Sequence, residues 1–318
     1  MKTLNQPTHK SKIGGQALIE GIMMRGLDKI SMAVRVPSGE IDIETWEAGS
    51  LIHPKWYRRI PIVRGVVNMV ESLALGYKCL MKSAEKAGLE DEDDEDYEPG
   101  RFEKFIEDKF GDHLFKIIGT IGMVLGVAIA LLLFMYIPAL AVKGLGMLID
   151  LGAFKTLVEG IIKIAIFVAY LALVSKMKDI RRTFEYHGAE HKSIACYEAG
   201  EELTVENVKK HRRFHPRCGT SFLLIVLIIS IIIFSVVTWS NLWIRIGLKI
   251  LLLPVVVGIS YEIIKLAGRY DNVVTRAISA PGLALQRLTT REPDSSQIEV
   301  AIAALNEVLP DNREDDQW

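Results

Sequence analysis

Two histidine pairs share one spacing: His187 with His191, and His211 with His215. The first pair encloses a carboxylate, in the order His187-Gly188-Ala189-Glu190-His191. Residues four apart lie on one face of a helix, so both imidazoles can reach one ion with Glu190 beside it. This H-x-x-E-H order inverts the zinc-protease signature, in which the imidazoles hold a metal and the glutamate acts as general base towards water. Glu190 is therefore the expected catalytic base. Imidazole, thiolate and carboxylate together suit a divalent transition metal; zinc is the expected ion and iron the alternative. His215 and Cys218 are the expected further ligands, with His211 and Glu198 as other candidates. Cys196 and Tyr197 read as packing residues, since nothing in the sequence points to a lowered thiol pKa.

These residues must be positioned by a chain of unusual composition. Half of its 318 residues are hydrophobic, which favours a membrane protein over a soluble one. The net charge of −1 gives no global signature of nucleic-acid binding. Three cysteines cannot all pair, and their settings fit a reducing compartment. The first eleven residues are polar and carry no apolar core of a signal peptide, so no cleavable leader is expected.

Residues 14–26 hold four glycines, which argues against a helix and for tight turns or close backbone approach. Glu20 and Arg25 are the ionisable groups in this stretch, and a Gly-rich loop can bring either to a site. Residues 30–36 and 41–46 alternate apolar with polar around the turn Pro37-Ser38-Gly39-Glu40, which predicts a β-hairpin. Residues 60–81 are apolar with interspersed charges and suit a buried or membrane-surface helix. The acidic run at 90–100 reads as a solvated linker without EF-hand spacing. Residues 101–116 read as an amphipathic helix leading into the membrane.

Four apolar runs follow, at 117–142, 157–175, 218–244 and 242–267. Each is long enough to cross about 30 Å of hydrocarbon. Ten lysines and arginines between 176 and 217 place that loop in the cytoplasm, and four spans then put both termini there too. A terminal helix is expected from 295 or 296 to 309, with Glu299 completing a capping box. The fold class is thus a polytopic α-helical membrane protein with about four transmembrane helices. It carries a small cytosolic α+β part that includes the N-terminal hairpin. The expected organisation is a cytosolic region to residue 89, the linker at 90–100, and a helix with two spans at 101–175. A cytosolic His/Cys loop at 176–219, two spans at 220–267 and a cytosolic region at 268–318 complete it.

Three motifs carry a family resemblance. They are Gly14-Gly15-Gln16-Ala17-Leu18-Ile19-Glu20-Gly21-Ile22-Met23-Met24-Arg25, Glu185-Tyr186-His187-Gly188-Ala189-Glu190-His191-Lys192 and His215-Pro216-Arg217-Cys218-Gly219-Thr220-Ser221-Phe222. Over nearly the whole chain the sequence resembles the YqhQ family of bacterial membrane proteins. The resemblance implies a cell-membrane protein of a family described as predicted metal-dependent enzymes. It also implies that the Gly-rich stretch and the central loop form one working unit. It names no substrate.

The leading expectation is a membrane-bound metal-dependent hydrolase, peptidase-like, working at the cytoplasmic membrane face on a membrane protein or lipid. A non-catalytic scaffold, insertion factor or transporter with a structural His cluster is the first alternative. A di-iron lipid oxidase or hydroxylase is the second; such enzymes use about eight histidines, with carboxylates able to substitute. The orientation is testable by cysteine labelling. A cysteine introduced near Lys209 should resist a membrane-impermeant reagent in intact cells, and external labelling would overturn the topology.

Overall fold

In the computed structural model, residues 9–48, 56–88, 114–236, 242–270 and 272–317 are described. The chain divides into two compact units. One holds the described residues up to 88 and those from 170 onward; the other holds those from 114 to 169. The expected acidic linker, and residues 101–113 of the expected amphipathic helix, lie outside the described residues.

The glycine-rich opening of the first unit is itself a hairpin. Strands β1 (Gly14–Leu18) and β2 (Gly21–Arg25) pair antiparallel around Ile19-Glu20, and Glu20 takes a positive φ of 49° at the turn. Strands β3 (Lys29–Arg35) and β4 (Ile41–Glu47) form the expected second hairpin, and the sheet order is β1-β2-β3-β4. The alternation expected for the third strand does not describe its burial, because Ile30 to Val34 are all buried. The cause is a layer on each face. Ile22, Met24 and Ala33 pack into a core with Tyr186, Ala189, Ile298 and Leu305. Met23, Met32 and Val34 pack into another with Cys79. The first core comes from helices α5 (Lys178–Ala199) and α10 (Ser295–Asn306), the second from α1 (Val63–Lys86).

The C-terminal helix starts with a different cap from the one expected. Asp294 is the N-cap and Gln297 closes the capping box, so the box begins two residues earlier. Glu299 instead pairs with Arg35 of β3 at 3.0 Å, tying the helix to the sheet.

Among the described residues, three helical stretches are long and apolar enough to cross a membrane. In the second unit, α2 (Leu114–Leu131) runs through a π-turn at Leu132–Tyr136 into α3 (Ile137–Leu148). The spanning stretch there is Thr120–Leu148, beyond the expected end at 142. Helix α4 (Lys155–Val174) is the next, and α8 (Leu242–Arg269) holds the third over Gly247–Arg269. The run at 218–244, expected as one span, is not one continuous helix among the described residues. Helix α7 (Gly219–Ser235) has 17 residues, about 25 Å of length, and α8 begins at Leu242. Three apolar helices of this length are compatible with a membrane protein.

Glycines let these helices approach closely. A Cβ on Gly65 of α1 would lie 2.7 Å from the Cβ of Tyr261 in α8. Helix α9 (Val273–Thr289) packs on α7 in the same way, since a Cβ on Gly282 would lie 2.5 Å from the Ser221 side chain. Backbones that close gain dispersion contact along their length, and an added methyl forces them apart. Gly282→Ala should therefore lower the stability of the detergent-solubilised chain by about 1–3 kcal/mol in thermal unfolding. Gly126→Ala, with nothing within 4 Å of the added methyl, is the control expected to cost nothing.

Candidate functional site

The central loop is largely a helix, and this decides the site. His187, Glu190 and His191 all lie on α5, with Glu190, His191 and the neighbouring Lys192 buried. The two imidazole rings are 4.4 Å apart between centroids. Cys218 is the N-cap of α7, and its Sγ accepts the Thr220 N–H. This places the sulfur 3.2 Å from His187 Nε2. One ligating atom from each of His187, His191 and Cys218 lies within 4.8 Å of the others. Tetrahedral zinc with imidazole and thiolate ligands separates its ligand atoms by about 3.5 Å, so small side-chain adjustments would close the group on one ion.

The outer ring nitrogens are already committed. His187 Nδ1 lies 2.7 Å from the Thr289 carbonyl, and His191 Nδ1 lies 2.6 Å from the Arg213 carbonyl. An Nδ1–H donated to a backbone carbonyl fixes the tautomer and turns the Nε2 lone pair inward, as in metal-binding histidines. Thr289 reaches His187 because Gly188 lets the chain after α9 lie against α5. A Cβ there would fall 1.9 Å from the Arg291 carbonyl oxygen.

Charge is concentrated in this small volume. Burial pushes the Cys218 thiol up, but the imidazoles of His191 and His187 overcome it and hold the group well below the usual thiol range. The α7 N-terminus adds to that effect. Burial pulls His187 down, while Cys218 and then Glu190 lift it to about 9. Burial raises Glu190 above the usual carboxylate range, against the pull of both imidazoles and the Gly15 N–H. Its Oε2 is buried and has no hydrogen-bond partner among the described residues. A buried polar atom of this kind calls for water or an ion.

Gly15 is the residue that the motif search did not connect to Glu190. A Cβ at Gly15 would meet the Glu190 carboxyl carbon at 2.9 Å and the Met23 carbonyl oxygen at 2.7 Å. The glycine brings β1 onto the base without a side chain between them. Thr289 and Gln286, on α9, were equally invisible, since neither residue type marks a site in sequence. Gln286 accepts the His215 N–H at 2.8 Å and donates to the His215 carbonyl at 2.7 Å, which locks the loop before Cys218.

The other candidates sort into separate places. His215 stands beside His191, 5.6 Å between ring centroids, but is outside the three-atom group. It faces Glu198, which also takes the Ser11 N–H and pairs with Arg217. Burial works against the charge on Glu198, yet His215 and Arg217 hold it down to about 2. His211 turns away to Glu201 at 3.2 Å, near Cys196. Glu20 binds Arg182 and accepts from Tyr186 Oη at 3.2 Å, clamping the β1–β2 turn to α5. Arg25 lies on the side of the sheet that faces α1, where burial lowers its pKa and Glu71 is the nearest favourable charge.

The glycine contact gives a direct test. Gly15→Ala should leave the chain folded but displace Glu190, and with it reduce function in a complementation assay as Glu190→Gln does. Gly14→Ala, where an added Cβ meets nothing within 4 Å, should behave as wild type.

No solved structure matches the chain. It is 34% identical over 299 residues to the uncharacterized protein YqhQ of Bacillus subtilis (strain 168), covering 93% of this chain and 92% of that protein. Residues 60–311 match the family described as protein of unknown function, DUF1385. With both matches running through the His/Cys cluster, the chain belongs to the YqhQ family, DUF1385.

Proposed function

We propose that the chain is a membrane-bound hydrolase that uses one transition-metal ion, zinc, held by His187, His191 and Cys218. The observation that carries this reading is the convergence of those three groups, both histidines anchored through Nδ1, beside Glu190, whose Oε2 has no hydrogen-bond partner among the described residues. Three protein ligands with an open position are the pattern of catalytic rather than structural zinc. The ion, when bound, supplies Lewis-acid activation of water. Glu190 would take the proton at Oε2, and a carboxylate whose pKa is raised by burial is suited to that task near neutral pH. Two such groups lie among the described residues, and of these His187, His191 and Cys218 are all buried, whereas Cys196, Glu201 and His211 include an exposed member. A peptide or lipid bond at the cytoplasmic membrane face is the class of substrate this placement favours.

Packing supports the four-span topology as well. β1 and α10 both lie against α5 in one unit. In a membrane-embedded chain, the segment between the sheet and α5, and the segment between α5 and α10, would then each cross an even number of times. Their apolar helices favour two crossings each, with the sheet, α5 and both termini in the cytoplasm.

Metal analysis of the gently purified chain should find close to one zinc per molecule, lost in His187→Ala and Cys218→Ala. Glu190→Gln should keep the zinc while function drops by about 10²–10⁴-fold. Zinc affinity should rise with pH up to about 9, because His187 must give up its proton to bind. Metal-free wild-type protein with no affinity on titration would leave the scaffold reading in front; two irons would favour the oxidase. Full complementation by Glu190→Gln would remove the base from the mechanism.

A further inference from the structure

Cys196 reads from the sequence as a packing residue, and it does lie in the core that holds Tyr186, Ile194 and Val208. Its sulfur has a second set of neighbours. One ligating atom from each of Cys196, Glu201 and His211 lies within 4.8 Å of the others. None of the three belongs to the His187, His191 and Cys218 group, so this cluster is separate, at the C-terminal end of α5.

Local chain geometry builds the cluster. Helix α5 is capped by Gly200 at φ 77°. The Gly200 N–H donates to the Tyr197 carbonyl at 3.0 Å, and the Glu201 N–H donates to the Cys196 carbonyl at 3.2 Å. This is the Schellman pattern, and it folds residue 201 back over the last turn of α5, beside the thiol. His211 arrives from a second element. The short helix α6 (Val205–Lys210) starts at Thr204, whose Oγ1 accepts the Asn207 N–H. Val208 seats it in the core that contains Cys196. His211 is the C-cap of α6, three residues after Val208, and so comes round to the same side. Its Nε2 lies 3.2 Å from Glu201 Oε2. The Cys196 side of the cluster is fully buried, while the Glu201 side chain is 40% exposed, so the cluster is closed within and open to solvent.

Thiolate, imidazole and carboxylate form a donor set for zinc. We propose that Cys196, Glu201 and His211 are a second, exchangeable zinc site, separate from the His187, His191 and Cys218 group. It goes beyond the hydrolase reading and does not depend on it. Three protein ligands leave a fourth position for water on the solvent side. As the sulfur–zinc bond forms, the Cys196 S–H bond breaks and its proton goes to solvent. The long contact from that S–H to the Glu202 carbonyl, 3.5 Å, is given up in exchange. Burial and then Glu201 push the Cys196 thiol up to about 11, whereas Cys218 is held well below the usual thiol range. Protons therefore compete harder at the outer cluster, so the inner one fills first and the outer ion is the one that exchanges. An ion there would tie residues 201 and 211 to α5. Arg213, whose carbonyl anchors His191, follows two residues later.

The test is titration of the gently purified full chain, in an uncharged detergent, with zinc and separately with cobalt(II). Cobalt reports each metal–thiolate bond by its charge-transfer absorption. The wild type should take up one equivalent beyond its resident metal, with new thiolate absorption, and more tightly as pH rises. Glu201→Gln and His211→Ala, both outside the packed core, should each weaken that uptake. The loss should exceed the roughly 10–100-fold that removing an outer hydrogen-bond partner of a metal ligand costs. Cys196→Ser should abolish the new absorption, and the two variants outside the core decide the matter if that chain does not fold. His187→Ala should keep the outer equivalent while losing the inner one. Hydrogen exchange of the 200–211 backbone should slow when the outer equivalent binds. No further uptake by the wild type, wild-type uptake in both Glu201→Gln and His211→Ala, or binding that leaves this exchange unchanged overturns the proposal. Outer uptake by a chain that never holds the inner ion would sink the hydrolase reading and leave this one standing. An inner zinc with no outer uptake would do the reverse.

Discussion

The carboxylate of Glu190 is fully buried in a protein interior, and one of its oxygens has no hydrogen-bond partner among the described residues. Removing a carboxylate from water is costly unless nearby charges or donors compensate. Here the compensation comes from two directions. The Gly15 N–H approaches from the sheet and His187 and His191 from the same helix, while the Cys218 sulfur opposes the charge. The sheet and α5 meet at this carboxylate, and α7 and α9 reach His187 beside it through Cys218 and Thr289. Moving any one of them would leave a charge or an imidazole in apolar surroundings.

Meeting so closely is a steric problem, and glycine solves it at each contact. Gly15 admits β1 to Glu190, Gly188 admits the chain after α9 to α5, and Gly282 admits α9 to α7. The three contacts form a chain of dependence. The α7–α9 contact sets where Cys218 and Thr289 lie; the α5 contact lets Thr289 reach His187; the strand contact closes the space behind Glu190. Packed interiors cannot deform continuously, so a methyl at any link is felt at the cluster.

The sequence made part of this legible. The four-residue spacing of His187 and His191 needs only helical geometry, so their common face could be read directly. The second hairpin was readable from Pro37-Ser38-Gly39-Glu40 for the same local reason. The choice of Cys218 over His215 as the third group was not readable. It depends on Gln286 of α9 pinning the His215 backbone, and on Cys218 capping α7, which are contacts between residues far apart in the chain. Likewise the glycines of 14–26 signalled close approach but not its object. Met32 reads as part of an alternating strand until the helix on the second face explains why both faces are apolar.

The network around His215 separates two kinds of chemistry that share a wall. On one side are the thiolate and imidazoles, suited to a metal ion. On the other are arginines and lysines that line a cavity. Glu198 lies between them with its charge held by Arg217 and the Ser11 N–H, and it faces His215. Burial lowers the pKa of His215, so this residue presents a neutral ring to both sides. A protonated His215 would repel a metal ion at the cluster. Arg217 bound to Glu198 keeps that buried carboxylate compensated without a proton on His215.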